Sequence, residues 1–376
     1  MSAIQKTPLY DFHVSNGANM VDFAGYSMPL TYFGLKEEHQ QVRTSGGIFD
    51  VSHMGRVEFS GRHARKLVET LCTRKIYDMA IGQCRYGLVL NENGGVKDDV
   101  IVYKLDDDKF LMVVNASNRL KLLPHFEAVR EKNNFSCKIS DETDATAMVA
   151  LQGPKIVDLI GKYSREIPAL KRYRFAVKNL LIVKLIVSRT GYTGEDGVEV
   201  ILPKAAVGMA LKYLLQDVDL KDASAVIRPA GLGARDTLRT EAGMPLYGHE
   251  LGEEINALQC GVDFAISMDK DQDDRGCTFV GMEALKATIA SGGTKHVLTG
   301  LTIDGPRSAR QGMKILHGTT EVGVVTSGCP SPTLGKCIAM GFVDRTHTAL
   351  GTALTIDTGR GTLNASVCAM PFYKKA

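Results

Sequence analysis

Between Cys84 and Asn115 the chain alternates three apolar runs with two turn clusters, Asn91-Glu92-Asn93-Gly94-Gly95 and Asp106-Asp107-Asp108-Lys109. This pattern predicts a three-stranded antiparallel meander, followed by a helix over 117–131. Helical spacing of apolar positions also marks 34–45, 62–71, 154–162 and 204–218, with the strand-like LLIVKLIVSR of 180–189 between the last two. A further helix is expected near 280–291. Beyond Ser291-Gly292-Gly293-Thr294, which reads as a linker, short apolar runs alternate with Gly and turn residues. VLTGLTI, EVGVVTSG, KCIAMGFV and LNASVCAM suit a small β barrel or sandwich of about 80 residues. Helices mixed with antiparallel hairpins, without a regular strand-helix-strand alternation, indicate an α+β architecture rather than a Rossmann sheet.

A length of 376 residues exceeds one ordinary core and predicts two or three domains. The 44% hydrophobic and 23% charged content is that of a globular protein. No apolar run reaches the roughly 18 residues of a membrane span, so no membrane association is expected. A formal net charge of +3 is small for this length and argues against nucleic-acid binding. Lys171-Arg172-Tyr173-Arg174 reads as a solvated face, or else as a local basic patch. The eight cysteines are scattered, without a C-x-x-C pair or a histidine at zinc-finger spacing. They are expected to be reduced and mostly buried, with no metal bound. The start, MSAIQKTPLYDFH, has neither an apolar signal core nor a long Arg- and Ser-rich amphipathic stretch, although six residues leave room for a very short presequence.

The common catalytic signatures are missing: no H-E-x-x-H, no G-x-S-x-G, no Walker loop, and no G-x-G-x-x-G after a strand. What remains is a polar cluster assembled by the meander. A regular strand from Val100 sends Asp99, Ile101 and Tyr103 to one side, Val100 and Val102 to the other. Pairing Leu105 with Phe110 sets Asn115 beside Val100 and close to Asp99, and the other hairpin brings Tyr86 near Ile101, each to about one residue. Tyr86, Asp99, Tyr103 and Asn115 then line one pocket, where a carboxylate beside aromatic rings is suited to share a proton near neutrality. The competing reading makes Asp98-Asp99 a solvated turn after Gly94-Gly95.

In SRTGYTGEDGVEVILP the turn residues Glu195 and Asp196 are expected in solvent, whereas Glu199 lies among apolar strand neighbours and needs a donor. A pterin ring offers one, through two parallel hydrogen bonds from its 2-amino and N3–H groups. A structural Arg, either Arg235 or Arg239, is the alternative. In RPAGLGARDTLRTEAGMPLYGHEL, Arg235 and Arg239 lie one turn apart on a helix and serve either a carboxylate ligand or the fold. His53 and His249 have no second ligand at metal spacing and read as hydrogen-bonded core or surface histidines.

TPLYDFHVSNGANMVDFAGYSMPLTY, GIFDVSHMG, NENGGVKDDVIVY, LQGP, SRTGYTGEDGVE, PAGLGARDTLRTEAGMPLYGHEL, FVGMEAL, TSGCPSPTLGKCIAMG and the terminal MPFYKK run in one order over nearly the whole chain. Together they closely resemble the glycine cleavage T-protein family. The resemblance implies a three-domain cloverleaf, with two ferredoxin-like antiparallel-sheet domains and a C-terminal β barrel around a central folate channel. It assigns 1–52 with 145–250 to the first domain, 53–144 with about 251–290 to the second, and 295–376 to the barrel.

The resemblance also implies roles. Asp99 matches the catalytic aspartate, Glu199 the pterin-binding glutamate and Arg235 the binding arginine. Met54, Tyr86, Ile101, Tyr103, Asn115, Tyr173 and Tyr192 match channel-lining positions. Tyr373 or Lys374 falls where the family uses a C-terminal aromatic or basic group. Phe264 stands where a Trp is common, keeping an aromatic wall without the indole donor. The implied reaction takes an aminomethyl group from the dihydrolipoyl arm of H-protein to tetrahydrofolate, a co-substrate, with neither flavin nor metal. The resemblance to eukaryotic members implies the mitochondrial matrix, and a bacterial protein would be cytoplasmic.

The nearest rivals are the folate domain of a dimethylglycine or sarcosine dehydrogenase, disfavoured because no flavin domain is attached, and a bacterial O-demethylase. A folate-binding maintenance protein for iron-sulphur enzymes carries K-G-C-Y-x-G-Q-E, which the stretch Arg275–Glu283 departs from.

Overall fold

A computed structural model describes residues 4–180, 183–272 and 275–375, so Met1–Ala3, where a presequence had room, lie outside the described residues. The chain divides into two compact units. Unit 1 takes Met1–Arg65, Met79–Arg85 and Ile101–Asp236, and unit 2 takes Lys66–Asp78, Tyr86–Val100 and Thr237–Ala376.

Unit 1 is built on a six-stranded sheet in the order Phe175–Leu180, Val183–Ser188, Gly197–Pro203, Thr146–Gln152, Gly47–Asp50, Arg228–Pro229. Every neighbouring pair is antiparallel except the last. LLIVKLIVSR thus contributes to two strands, and its Leu181 and Ile182 lie outside the described residues. The helices Ile156–Gly161 and Val207–Leu214 fill the core behind this sheet through Leu159, Ile160, Val207 and Leu211, where Val149, Leu151 and Val198 meet them. The rest of unit 1 includes Gly55–Ser60, flanked by Lys109–Val114 and Lys138–Asp141, with the later part of Val96–Asp106 paired to Lys109–Val114. Here the sequence register is off by one: Phe110 faces Lys104 rather than Leu105, because an irregularity between Lys104 and Asp106 takes up one residue.

Unit 2 includes the hairpin made by the later part of Cys84–Leu90, from Tyr86, and the early part of Val96–Asp106, to Val100. Its turn is made as the sequence suggests. Asn91 Oδ1 accepts from the N–H groups of Asn93 and Gly95, and Gly94 has φ +81. Leu88, Leu90 and Val96 bury against Leu251, Phe279 and Leu285. The C-terminal part closes a barrel in the order His296–Ile303, Lys336–Asp344, Thr320–Ser331, Lys314–His317, Ala353–Asp357, Thr362–Cys368. Leu301, Ile315, Val325, Ala339 and Ile356 fill its interior. Lys314–His317 and Ala353–Asp357 are additions to the four barrel strands read from sequence. Among the described residues no helix is long and apolar enough to cross a membrane.

Candidate functional site

In unit 2, Asp98 and Asp99 lie inside a strand, not in a solvated turn. Asp98 is wholly buried and Asp99 half-buried, so the alternation read from the sequence holds at Asp99 to Val102. The Tyr86 hydroxyl donates to Asp99 Oδ2 at 3.1 Å, and its ring stacks on Phe264 at 5.9 Å between centroids. Phe264 itself is 65% exposed. Arg239, offered by the sequence as a partner for Glu199, is committed elsewhere: it is buried, 3.0 Å from Glu250 and 2.8 Å from Ser327 Oγ. Tyr373 is half-buried and its N–H donates to the Glu241 carbonyl, while Lys374 is exposed.

In unit 1, Glu199 is 5% exposed and sits in Gly197–Pro203, facing Ser188 on one side and Ala150 on the other. Its Oε2 accepts from Thr190 Oγ1 at 2.5 Å. Because the carboxylate can only accept, the hydroxyls order themselves from Tyr103 to Ser188 at 3.1 Å, Ser188 to Thr190 at 2.7 Å, and Thr190 to Glu199. Tyr103 is wholly buried, which keeps its hydroxyl protonated well above the usual range. No described residue donates to Glu199 Oε1, and no described cation pairs with it. Burial raises the Glu199 pKa, and the Thr190 bond and the Arg235 charge offset this only in part. It is a carboxylate short of donors.

Arg235, on the helix Leu232–Glu241, lies 4.9 Å from the Tyr192 ring and 6.0 Å from that of Phe49. Its Nη1 is buried and has no hydrogen-bond partner among the described residues. The loop carrying Tyr192 is clamped by Gln152 of LQGP, which accepts from Thr193 Oγ1 at 3.1 Å and donates to the Thr190 carbonyl at 3.2 Å. Two separate sequence motifs are thus one local structure. Glu195 and Asp196 are not the solvated turn pair expected. Glu195 is buried against Arg43 at 2.9 Å, and Asp196 accepts from Arg189 Nη2 with both carboxylate oxygens, at 2.6 and 2.7 Å, and from the Gly197 N–H at 2.9 Å.

The remaining unit 1 candidates are spread. Met54 is half-buried with its carbonyl held by Arg56, Ile101 and Asn115 are half-buried, and Tyr173 is exposed at φ +58. His53 is a core residue, but among the described residues its Nδ1 has no hydrogen-bond partner. His249 Nδ1 does have one, 2.9 Å from the Thr326 carbonyl. A further buried network went unread in the sequence. Asp50 accepts from Thr7 at 2.6 Å and is 2.9 Å from His13 Nε2, and His13 Nδ1 is 2.7 Å from the Tyr32 hydroxyl. Thr7, His13 and Tyr32 lie far from Asp50 in sequence, and no spacing within one segment announces the network.

Fold and polar clusters together are those of a multi-sheet α+β protein that ends in a closed barrel. Residues 9–270 match the GCVT N-terminal domain, and residues 296–374 match the Glycine cleavage T-protein C-terminal barrel domain. The chain is 42% identical over 373 residues to an aminomethyltransferase of Rubrobacter xylanophilus, covering 99% of this chain and 95% of that one. It is 39% identical over 377 residues to one of Saccharopolyspora erythraea, covering 100% of each. The crystal structure of glycine cleavage system aminomethyltransferase T from Bartonella henselae matches with a TM-score of 0.89 at 28% identity, over 99% of this chain and 98% of that one. The chain belongs to the glycine cleavage T-protein family, the aminomethyltransferases. The resemblance read from its motifs is borne out, as is the α+β fold with a C-terminal barrel.

Proposed function

We propose that this chain is the tetrahydrofolate-dependent aminomethyltransferase of a glycine cleavage system. It converts the S-aminomethyldihydrolipoyl group of H-protein and tetrahydrofolate into 5,10-methylenetetrahydrofolate, ammonia and dihydrolipoyl H-protein. Family membership supports the reaction class, and the observation that carries the co-substrate is Glu199. A buried carboxylate with an oxygen that no described residue bonds, near a guanidinium whose Nη1 is also without a partner, fits the pterin edge, which sets two donors beside one acceptor.

Tetrahydrofolate supplies the two nitrogens that take the methylene. Glu199 and Arg235 bind and orient the pterin, with Tyr192 stacked by Arg235 at their side. Asp99, steadied by Tyr86, orients the reacting nitrogens, stabilises the cation that develops as ammonia leaves, and assists proton transfer. Met54, Tyr86, Ile101, Tyr103, Asn115 and Tyr173 are assigned to folate contact or its support, and Tyr373 and Lys374 to a contact from the C-terminal segment. The bacterial sources of the relatives favour a cytoplasmic protein over a mitochondrial one. The partition into 1–52 with 145–250, 53–144 with about 251–290, and 295–376 is retained as a proposal.

The test is turnover with aminomethyl-loaded H-protein and tetrahydrofolate, following ammonia and methylenetetrahydrofolate together. Asp99→Asn is expected to keep folate binding and to lower turnover about 10²-fold or more. Full activity in the variant would sink the role of Asp99. Folate binding without either product in the wild type would point to a demethylase or a non-catalytic folate protein.

A further inference from the structure

His53 occupies the loop between Gly47–Asp50 and Gly55–Ser60. It is 4% exposed, and its Nδ1 is buried without a hydrogen-bond partner among the described residues. A slack loop does not account for this, because both sides of His53 are pinned. Arg56, 0% exposed, donates to the carbonyls of Ser52 at 3.0 Å and of Met54, and its other nitrogens reach Thr143 O at 2.6 Å and Thr146 Oγ1 at 2.7 Å. Asp50 Oδ1 accepts from the Ser52 N–H at 2.8 Å, and the Phe23 ring meets the imidazole edge-on at 5.5 Å. The ring is held in place, yet its Nδ1 is left without a hydrogen bond among the described residues. Fully buried polar groups without partners are rare in folds and costly, and they concentrate where a ligand completes them.

The same orphaning is seen at Arg235 Nη1, and the two groups are close enough for the guanidinium charge to act on the imidazole. Burial, with Arg235 and Arg56 adding to it against the opposing pull of Asp50, pushes the His53 pKa down to about 4. At neutral pH the ring is therefore uncharged and has one N–H to give. Within reach of the Arg235 charge, unit 1 thus holds Glu199, whose carboxylate takes one hydrogen bond from Thr190, and two buried donors without an acceptor among the described residues, His53 Nδ1 and Arg235 Nη1; Arg189 Nε in the same unit is another such donor. On a pterin, the 4-oxo oxygen lies immediately beside the N3–H that a carboxylate would take, so the acceptor needed by the donors adjoins the donors needed by the acceptor.

We propose that His53 is a substrate-contacting residue, its Nδ1–H and the Arg235 guanidinium donating together to the 4-oxo oxygen of the bound pteridine. This rests on the reading of Glu199 and Arg235 as the pterin site, and adds to it a residue that selects 4-oxo over 4-amino pteridines.

The experiment measures equilibrium binding of tetrahydrofolate and of its 4-amino-4-deoxy analogue to the wild type, His53→Phe, His53→Asn and Glu199→Gln, with the thermal unfolding of each. His53→Phe is expected to weaken tetrahydrofolate binding about tenfold and to change binding of the 4-amino analogue by less than about twofold. Its Tm should be unchanged or raised, because an apolar ring replaces a partnerless polar one. His53→Asn, whose side-chain N–H falls where Nδ1–H stood, should recover most of the affinity. Unchanged tetrahydrofolate affinity in His53→Phe, or equal weakening of both ligands with a fall in Tm, overturns the proposal while leaving Glu199 in place. Absence of tetrahydrofolate binding by the wild type, or no effect of Glu199→Gln, removes the pterin site itself and this inference with it.

Discussion

Arg43 and Glu195 meet at 2.9 Å with side chains 3% and 1% exposed. Taking away one charge leaves the other buried, which costs about 3–5 kcal/mol. Glu195→Gln is expected to lower unfolding stability by about 3 kcal/mol in a urea titration, and a loss of a few tenths would mean that water reaches the pair. His53 acts through pH. Its folded pKa of about 4 lies below its ordinary 6.5, so as the medium is acidified the unfolded chain takes up the proton first. The titration leaves stability untouched above about pH 6.5 and lowers it by about 3 kcal/mol as the pH falls towards about 4, a slope that His53→Phe should flatten. Glu199 shifts the other way, and only its ionised form accepts two donors. Tetrahydrofolate affinity should therefore fall on acidification with a midpoint above the ordinary carboxylate range, and binding isotherms across pH read it. Asp99 and Glu199 were legible in the sequence because each is a carboxylate inside an apolar strand. Thr190, Gln152 and Arg43 were not, because what makes them matter is a partner from another segment.

At the scale of elements, the helix that carries Arg235 is set by a close approach at its start. A Cβ on Gly231 would stand 2.2 Å from the Leu30 carbonyl oxygen, and the Gly231 N–H donates to Glu38 Oε2 at 2.7 Å. The other oxygen of Glu38 takes the N–H groups of Tyr32, Phe33 and Gly34, so one buried side chain fastens two segments to each other. Gly231→Ala is expected to cost about 2 kcal/mol or more, read as a lowered Tm, and to weaken folate binding by displacing Arg235. Alternation and turn residues were enough to place the meander. Its register slipped by one because no residue type announces the irregularity between Lys104 and Asp106. Lys314–His317 and Ala353–Asp357 escaped notice because runs of four and five residues are too short to announce themselves and become strands through the neighbours that pair with them.

For the molecule as a whole, the C-terminal barrel has no open edge, since its last strand returns to its first. With the proposed limit at 295, cleavage within Ser291–Thr294 should release a fragment that keeps its β circular dichroism, and an unfolded fragment would count against the partition. The division of the chain also orders how each copy of it matures. Unit 1 has all its segments by Asp236, whereas unit 2 combines early segments with Thr237–Ala376. As the chain leaves the ribosome, the strand bearing Asp99 is made early, but Leu251, Phe279 and Leu285, which cover its hairpin, come much later. The Glu199 cluster can assemble on a growing chain while the Asp99 hairpin still waits for its core. In the life of every copy, the proposed Glu199 and Arg235 grip on the pterin is finished before the means of reacting it.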